Sequence, residues 1–206
     1  ILSCVEKMGR IPDAYFQAVG SGTGAIAAWE NAERLAYDGR FGQNNMRVYA
    51  VQNAPFSLMY DSWKADSREL LPLTPEAGRH QAEIILAKVL SNRKPPYSIA
   101  GGLYDVLKYS HGDMYLVNND EIVWTLLRFR NLEGYDLLPA AAAAVVALEK
   151  AVKEGAVGKD EYVMLNCTGG GTLAAMAKGY HMREPDLILS PDLDADEIIA
   201  KVEALF

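Results

Sequence analysis

Three features of this 206-residue sequence predict a three-layer α/β fold, with helices on both faces of a mostly parallel sheet. Strand-like runs alternate along the chain with stretches of helical length and spacing. Two of the strand candidates run straight into glycine-rich loops that open toward a helix. The longest apolar stretch, 137–148, is mostly alanine and reads as a helix buried against the sheet. There is no internal repeat and no low-complexity linker, so the expectation is one domain spanning 1–206.

The elements follow in order. Residues 14–19 (A-Y-F-Q-A-V) form a short aromatic-rich strand that ends in Gly20-Ser21-Gly22-Thr23-Gly24. Residues 25–37 carry Ile26, Trp29 and Leu35 at helical spacing and stop near Asp38-Gly39. Residues 47–52 (R-V-Y-A-V-Q) are a second strand. A helix is expected over 75–90, with Thr74 as its N-cap and Glu76 in its first turn. At 117–122, V-N-N-D-E-I reads as a helix entry capped by Asn118 or Asn119, with Ile122, Leu126 and Phe129 on one face. Residues 139–153 are a helix with proline at its start and Gly155 just past its end. Residues 162–166 (Y-V-M-L-N) read as a buried strand leading into Gly169-Gly170-Gly171 and a short helix. A last strand at 187–189 and a terminal helix at 194–205 complete the pattern.

Composition narrows the function classes. A net charge of -7 argues against a nucleic-acid partner. No apolar run approaches the roughly 20 residues of a membrane-spanning helix. Two cysteines, Cys4 and Cys167, make neither a disulfide framework nor a four-thiolate zinc site, and a reducing cytoplasm is the expected compartment. His80, His111 and His181 are isolated from one another, so no metal site is expected. The chain opens on Ile1 with no signal pattern, and a piece of a longer protein is expected.

The first glycine loop carries the strongest chemical signal. Glycines let a backbone approach an anion with its N–H groups turned inward, the following helix adds its free amides, and Ser21 and Thr23 add hydroxyls. A ligand-free tight turn is the bland alternative. Gly20-x-Gly22-x-x-Ala25 formally fits the relaxed dinucleotide fingerprint, but the next strand ends in Gln52-Asn53 where that fingerprint expects an acid for the ribose. No Lys-Ser/Thr follows the loop, so a nucleoside triphosphate is disfavoured as well. A phosphate monoester is the better ligand.

Several motifs together resemble a known family. V-G-S-G-T-G at 19–24 resembles the phosphate loop of fold-type II pyridoxal-phosphate enzymes. V-N-N-D-E-I at 117–122, L-E-G-Y-D-L-L-P-A-A-A-A-A at 132–144 and N-C-T-G-G-G at 166–171 are similar, in order and spacing, to the C-terminal half of the threonine synthase group. The wording Q-A-V-G-S-G-T-G-A-I-A-A-W-E, with Q-N-A-P-F at 52–56, Y-D-S-W-K-A-D-S-R at 60–68 and G-Y-H-M-R-E-P-D at 179–186, resembles the cysteate synthase branch of that group. Leu138, Gly170 and the lack of a lysine after the second loop depart from the threonine-synthase pattern, which often has an acid before the proline and a histidine in Thr-Gly-His-Gly.

The resemblance implies the large-domain part of a fold-type II enzyme, with pyridoxal 5'-phosphate as cofactor. It assigns the cofactor phosphate to Gly20, Ser21, Gly22, Thr23 and Gly24. It sets Thr168 opposite the pyridine nitrogen, with Cys167 as runner-up, and Glu133 beside the cofactor face, where an ordinary exposed helix-end acid is the competing reading. Ile99-Ala100-Gly101-Gly102 is a looser match to a glycine segment beside the cofactor. A neutral hydroxyl at the ring nitrogen tunes the cofactor toward elimination and replacement rather than transamination. The implied partners are a phosphorylated amino acid, O-phosphoserine, and sulfite, with a homo-oligomeric assembly. O-phosphohomoserine would be the substrate of a threonine synthase instead, and a non-catalytic phosphate-ligand module is the reading from another class. The resemblance sets the Schiff-base lysine more than a hundred residues before the phosphate loop, so no catalytic residue is assigned here. Lys7 is too close, and Lys64 in S-W-K-A-D-S reads as a solvated side chain. This chain alone is expected to be inactive.

Overall fold

The computed structural model describes residues 1–181, 183–190 and 192–206. It divides into two compact units, Ile1–Thr172 and Leu173–Phe206. Met182, within the 179–186 motif, lies outside the described residues.

In the first unit, α1 (Leu2–Met8) precedes β1 (Ala14–Ala18), α2 (Thr23–Asp38), β2 (Arg47–Asn53), α3 (Leu58–Lys64) and α4 (Pro75–Ile84). A 3-10 turn (Lys88–Leu90) follows, then α5 (Leu103–Ser110), β3 (Asp113–Val117), α6 (Asn119–Glu133), α7 (Pro139–Lys153) and β4 (Val163–Leu165). The helix α8 (Thr172–Ala177) begins at the boundary, and α9 (Ala195–Glu203) lies in the second unit, capped by Asp194 through a reciprocal bond pair with Glu197.

The four strands pair in the order β3-β2-β1-β4, all parallel. Parallel pairing places every strand's C-terminal end on one edge of the sheet, and both faces must be covered. Alternation along the strands divides the core accordingly. Phe16, Tyr49, Val51 and Tyr115 face α7, whose residues Ala141–Ala144 are fully buried. Alanine's small side chain lets this helix lie close to all four strands. Tyr15, Val48, Ala50 and Met114 face the opposite side, where α2 and α5 pack with Ala25, Ala28, Val106 and Leu107. The three-layer architecture is as the sequence predicts.

Some elements differ from expectation. The helix expected over 75–90 stops at Ile84, because the amides of Leu86 and Ala87 bond to Asn119 Oδ1 and Asn53 Oδ1 instead of to the preceding turn. The strand beginning near Tyr162 is only half-buried, as befits a three-residue strand at the sheet edge. Residues 187–189 form no strand: they join no ladder among the described residues, and Ile188 is exposed.

Candidate functional site

The chain passes from β1 to β2 to β3 on one side and returns as β4 on the other. The strand order therefore reverses between β1 and β4. In open α/β sheets that reversal opens a crevice beyond the strand ends, where ligands bind. Both glycine loops leave the sheet there, 20–24 from β1 and 166–171 from β4.

The first loop is closely backed. Val19 extends the ladder by donating to the Val51 carbonyl at 3.0 Å, and the chain then turns at Gly22, whose φ of 84° favours glycine. Ser21 Oγ and Thr23 Oγ1 lie 2.9 Å apart and form one hydroxyl cluster at the start of α2. No acid occupies the first turn of that helix, so its positive end faces outward without a competing carboxylate. A Cβ built on Gly20 would lie 2.5 Å from the Val89 carbonyl oxygen, and one on Gly22 would lie 3.1 Å from Leu103 Cδ2. The Gly101-Gly102 segment, which opens α5 just before Leu103, is thereby brought alongside the first glycine loop.

Sequence reasoning missed how this backing is built. Fully buried Asn53 donates to the Val117 carbonyl at 3.2 Å and to Asn119 Oδ1 at 3.1 Å, while its own Oδ1 accepts from Ala87 N at 3.0 Å. Asn119 also donates to the Ile84 carbonyl at 2.9 Å. The pair anchors residues 84–87 to the strand ends, just before Val89 presses on Gly20. Gln52 Oε1 accepts from Met59 N and Tyr60 N, each at 2.9 Å, and so caps α3. The amide side chains at the end of β2 thus hold neighbouring segments, Gln52 through its Oε1 and Asn53 through both of its polar atoms. A polar pair closing an otherwise apolar strand was the signal available.

The second loop is built differently. Asn166 N donates to the Phe16 carbonyl at 2.9 Å and extends β4 along β1. The loop is then strapped to the segment before α7: Leu138 N donates to the Gly169 carbonyl and Gly171 N to the Asp136 carbonyl, each at 2.9 Å, and Leu137 and Gly170 form an antiparallel bridge. A Cβ on Gly170 would lie 2.3 Å from the Asp136 carbonyl oxygen, so no side chain fits there unless the strap moves. Thr168 and Cys167 are exposed and line a hollow of about 270 Å³ with Tyr135, Asp136 and Leu137. Partial desolvation pushes the Cys167 thiol above its ordinary pKa.

The other sequence-singled residues fall elsewhere. Glu133 ends α6, exposed, and lines a separate hollow between α6 and α7 with Phe129, Leu132 and Val145. Lys64 is ion-paired to Asp113 at 2.7 Å rather than simply solvated. Asp113 begins β3, so Lys64 sits at the sheet end opposite the glycine loops. Lys108 pairs with Asp66 at 2.5 Å, and Arg128 pairs with Glu149. Among the described residues, no group of His, Cys, Asp and Glu could hold a metal ion, and no helix is long and apolar enough to cross a membrane.

Comparison with known proteins gives the family and the fold. A family profile described as "Pyridoxal-phosphate dependent enzyme" matches residues 1–169. The chain belongs to the pyridoxal-phosphate-dependent enzyme family. It is 43% identical over 202 residues to the cysteate synthase of Methanosarcina barkeri, covering 96% of this chain and 48% of that protein. It is 50% identical over 167 residues to that of Methanoculleus marisnigri, covering 79% of this chain and 38% of the relative. The chain thus spans half or less of the length of the curated relatives it matches. In fold it is similar to serine racemase from Dictyostelium discoideum (TM-score 0.56, 18% identity, 83% of this chain and 47% of that one). A threonine deaminase from T.th. is also similar (TM-score 0.53, 17% identity, 83% and 54%). Pyridoxal phosphate is the cofactor of the family, and the donor set fits it. Two hydroxyls and an acid-free helix start suit its phosphate, and a neutral hydroxyl and thiol stand at the neighbouring loop.

Proposed function

We propose that this chain is the cofactor-phosphate-binding half of a cysteate synthase, which converts O-phosphoserine and sulfite to cysteate and phosphate. The observation that carries the reading is the placement of both glycine loops at the β1/β4 reversal, one rich in anion donors and the other presenting Thr168. The similarity to cysteate synthases supports the choice of reaction. In the overall change the Cβ–O bond of the substrate breaks, phosphate leaves with the bonding pair, and sulfite sulfur forms the new bond to Cβ.

When bound, the cofactor supplies an electron-withdrawing ring that acidifies the substrate's α-proton. The residues of this chain bind and orient it. Ser21, Thr23 and the amides opening α2, with Gly20, Gly22 and Gly24 shaping the loop, hold the phosphate. The Thr168 hydroxyl faces the ring nitrogen as a neutral partner, with Cys167 the alternative, whereas Glu133 opens into the separate hollow between α6 and α7 and is left out of the cofactor face. The proton-moving lysine is assigned to no residue here. A single domain over 1–206, completed by an N-terminal half that carries that lysine, remains our reading of the organisation, and the setting is a reducing cytoplasm. Exposed Val123, Trp124 and Leu127 on α6 favour association with further copies.

The test is an assay of the full-length protein with O-phosphoserine and with O-phosphohomoserine, each with and without sulfite. Sulfite-dependent phosphate release from O-phosphoserine with formation of cysteate is expected. Threonine from O-phosphohomoserine without sulfite would replace the reading by threonine synthesis. Tight nucleotide binding by this chain without cofactor uptake would replace it by a binding module.

A further inference from the structure

One buried side chain bonds to a residue next to the second glycine loop and to one on the strand that leads into the first. Tyr15, the second residue of β1, is 2% exposed. Its hydroxyl accepts from Asn166 Nδ2 at 2.8 Å and donates to Gln17 Oε1 at 2.6 Å. Asn166 directly precedes Cys167 and Thr168. Gln17 reaches the other way, for a Cβ built on Gly24 would lie 2.6 Å from Gln17 Nε2. In this arrangement the Asn166 amide nitrogen donates, the Tyr15 proton points to Gln17 Oε1, and Gln17 Nε2 lies beside Gly24 in the first turn of α2. Burial raises the Tyr15 pKa and the Asn166 bond opposes the rise only in part, so the phenol stays neutral and keeps both roles.

We propose that Tyr15 is a positioning residue that locks the second glycine loop to the first, through the relay Asn166–Tyr15–Gln17. The proposal rests on the reading above that the two loops hold opposite ends of one cofactor. A ligand whose phosphate and ring nitrogen are a fixed length apart needs its two anchoring loops at a fixed separation. The backbone ladder that secures that separation is short, three β4–β1 residue pairs and the bond from Asn166 N to the Phe16 carbonyl, at a half-buried edge. Hydrogen bonds in a low-dielectric interior add the missing constraint. An architectural tyrosine needs only its ring buried; here both hydroxyl partners belong to segments that carry the loops.

The experiment compares Tyr15→Phe with the unmodified full-length protein, because that change keeps the ring and removes the hydroxyl. Three quantities are read: the dissociation constant of pyridoxal phosphate from the apoprotein by equilibrium dialysis, the absorption spectrum of the bound cofactor, and the thermal midpoint. Affinity is expected to fall about tenfold, the scale of leaving buried polar partners unsatisfied, with a shifted cofactor absorption maximum. Asn166→Ala is expected to do the same, and the double variant to bind no more weakly than the weaker single one, as members of one relay do. A lowered midpoint with unchanged affinity and spectrum would make Tyr15 merely architectural and overturn the proposal. If Tyr15→Phe does not fold, Asn166→Ala at the half-buried edge decides by the same readouts. An unmodified protein that takes up no pyridoxal phosphate would remove the cofactor reading and this proposal with it, whereas binding by that protein and equal binding by the variants would remove the relay alone.

Discussion

The loops at 20–24 and 166–171 both spend glycines on close backbone approach, yet they differ in what they approach. Gly20 is pressed by the Val89 carbonyl, part of a segment anchored to the sheet through buried Asn53. Gly170 is pressed by the Asp136 carbonyl, part of an exposed strap at the sheet's edge. The first loop continues a buried strand into a sixteen-residue helix, and the second joins a half-buried three-residue strand to a six-residue one. Backing by the sheet fixes the first loop, as the proposed phosphate role requires. The second loop has only an exposed strap behind it, so the proposed role at the ring depends on the bond from Asn166 to Tyr15.

The comparison predicts its largest effect at Gly20. Gly20→Ala forces backbone apart in a packed region and is expected to destabilise the protein by about 1–3 kcal/mol and to abolish tight cofactor binding. Gly170→Ala, with the closer built contact, is expected to lower the midpoint less, since the strap can move, and to change chiefly the cofactor spectrum. Equal thermal losses from the two variants would break the contrast between the sheet-backed and the strap-backed loop. Next in size are Ser21→Ala and Thr23→Ala. Each removes one neutral donor and is expected to weaken pyridoxal phosphate binding by about 1 kcal/mol, roughly fivefold, with little change of melting temperature. Isothermal titration alongside thermal melts checks both.

Legibility in the sequence followed the same divide. β1, its loop and α2 could be read because a strand pattern, a glycine cluster and a helical pattern meet within a few residues. The end of α4 could not be read. Ile84, Ile85 and Leu86 continue a helical apolar pattern, and only Asn53 and Asn119, distant in sequence, withdraw the amides that would extend it. β3 was hidden behind the capping signal of Asn118, which correctly marked α6 through its reciprocal bonds with Glu121 but drew attention from the strand before it. At the site, the motif letters singled out Thr168 and the 20–24 loop, and the strand order brings both glycine loops to the β1/β4 reversal. Tyr15 and Gln17 were invisible as functional candidates, because alternation makes inward-facing strand residues read simply as core.

Smaller effects sharpen the picture at the edge strand. Thr168→Ala is expected to cost about 1 kcal/mol of cofactor affinity and Thr168→Ser still less. Thr168→Asp differs in kind, since a carboxylate would favour a protonated ring nitrogen and divert products toward transamination or racemisation. Spectra and product analysis of the three variants report this, and an unaltered Thr168→Asp spectrum would remove Thr168 from the ring. The smallest effect concerns the far end of β4, where Glu161 pairs with Arg47 at 2.6 Å. The Arg47 hydrogen bond holds the Glu161 carboxyl below its ordinary pKa. Its contribution is therefore present above the usual carboxylate range and lost as pH falls through the depressed value. Glu161→Gln is expected to destabilise by at most about 1 kcal/mol at pH 7, the pair being partly exposed, and the penalty should vanish in strong acid. Urea melts across that pH range would show it.

The most direct test of the account is a crystal structure of the full-length protein with pyridoxal phosphate bound. The account predicts phosphate oxygens at about 3 Å from the Ser21 and Thr23 hydroxyls and the amides opening α2, with the ring nitrogen facing Thr168 across the β1/β4 crevice. A phosphate bound away from the 20–24 loop, or a ring turned from the 166–171 loop, would contradict it.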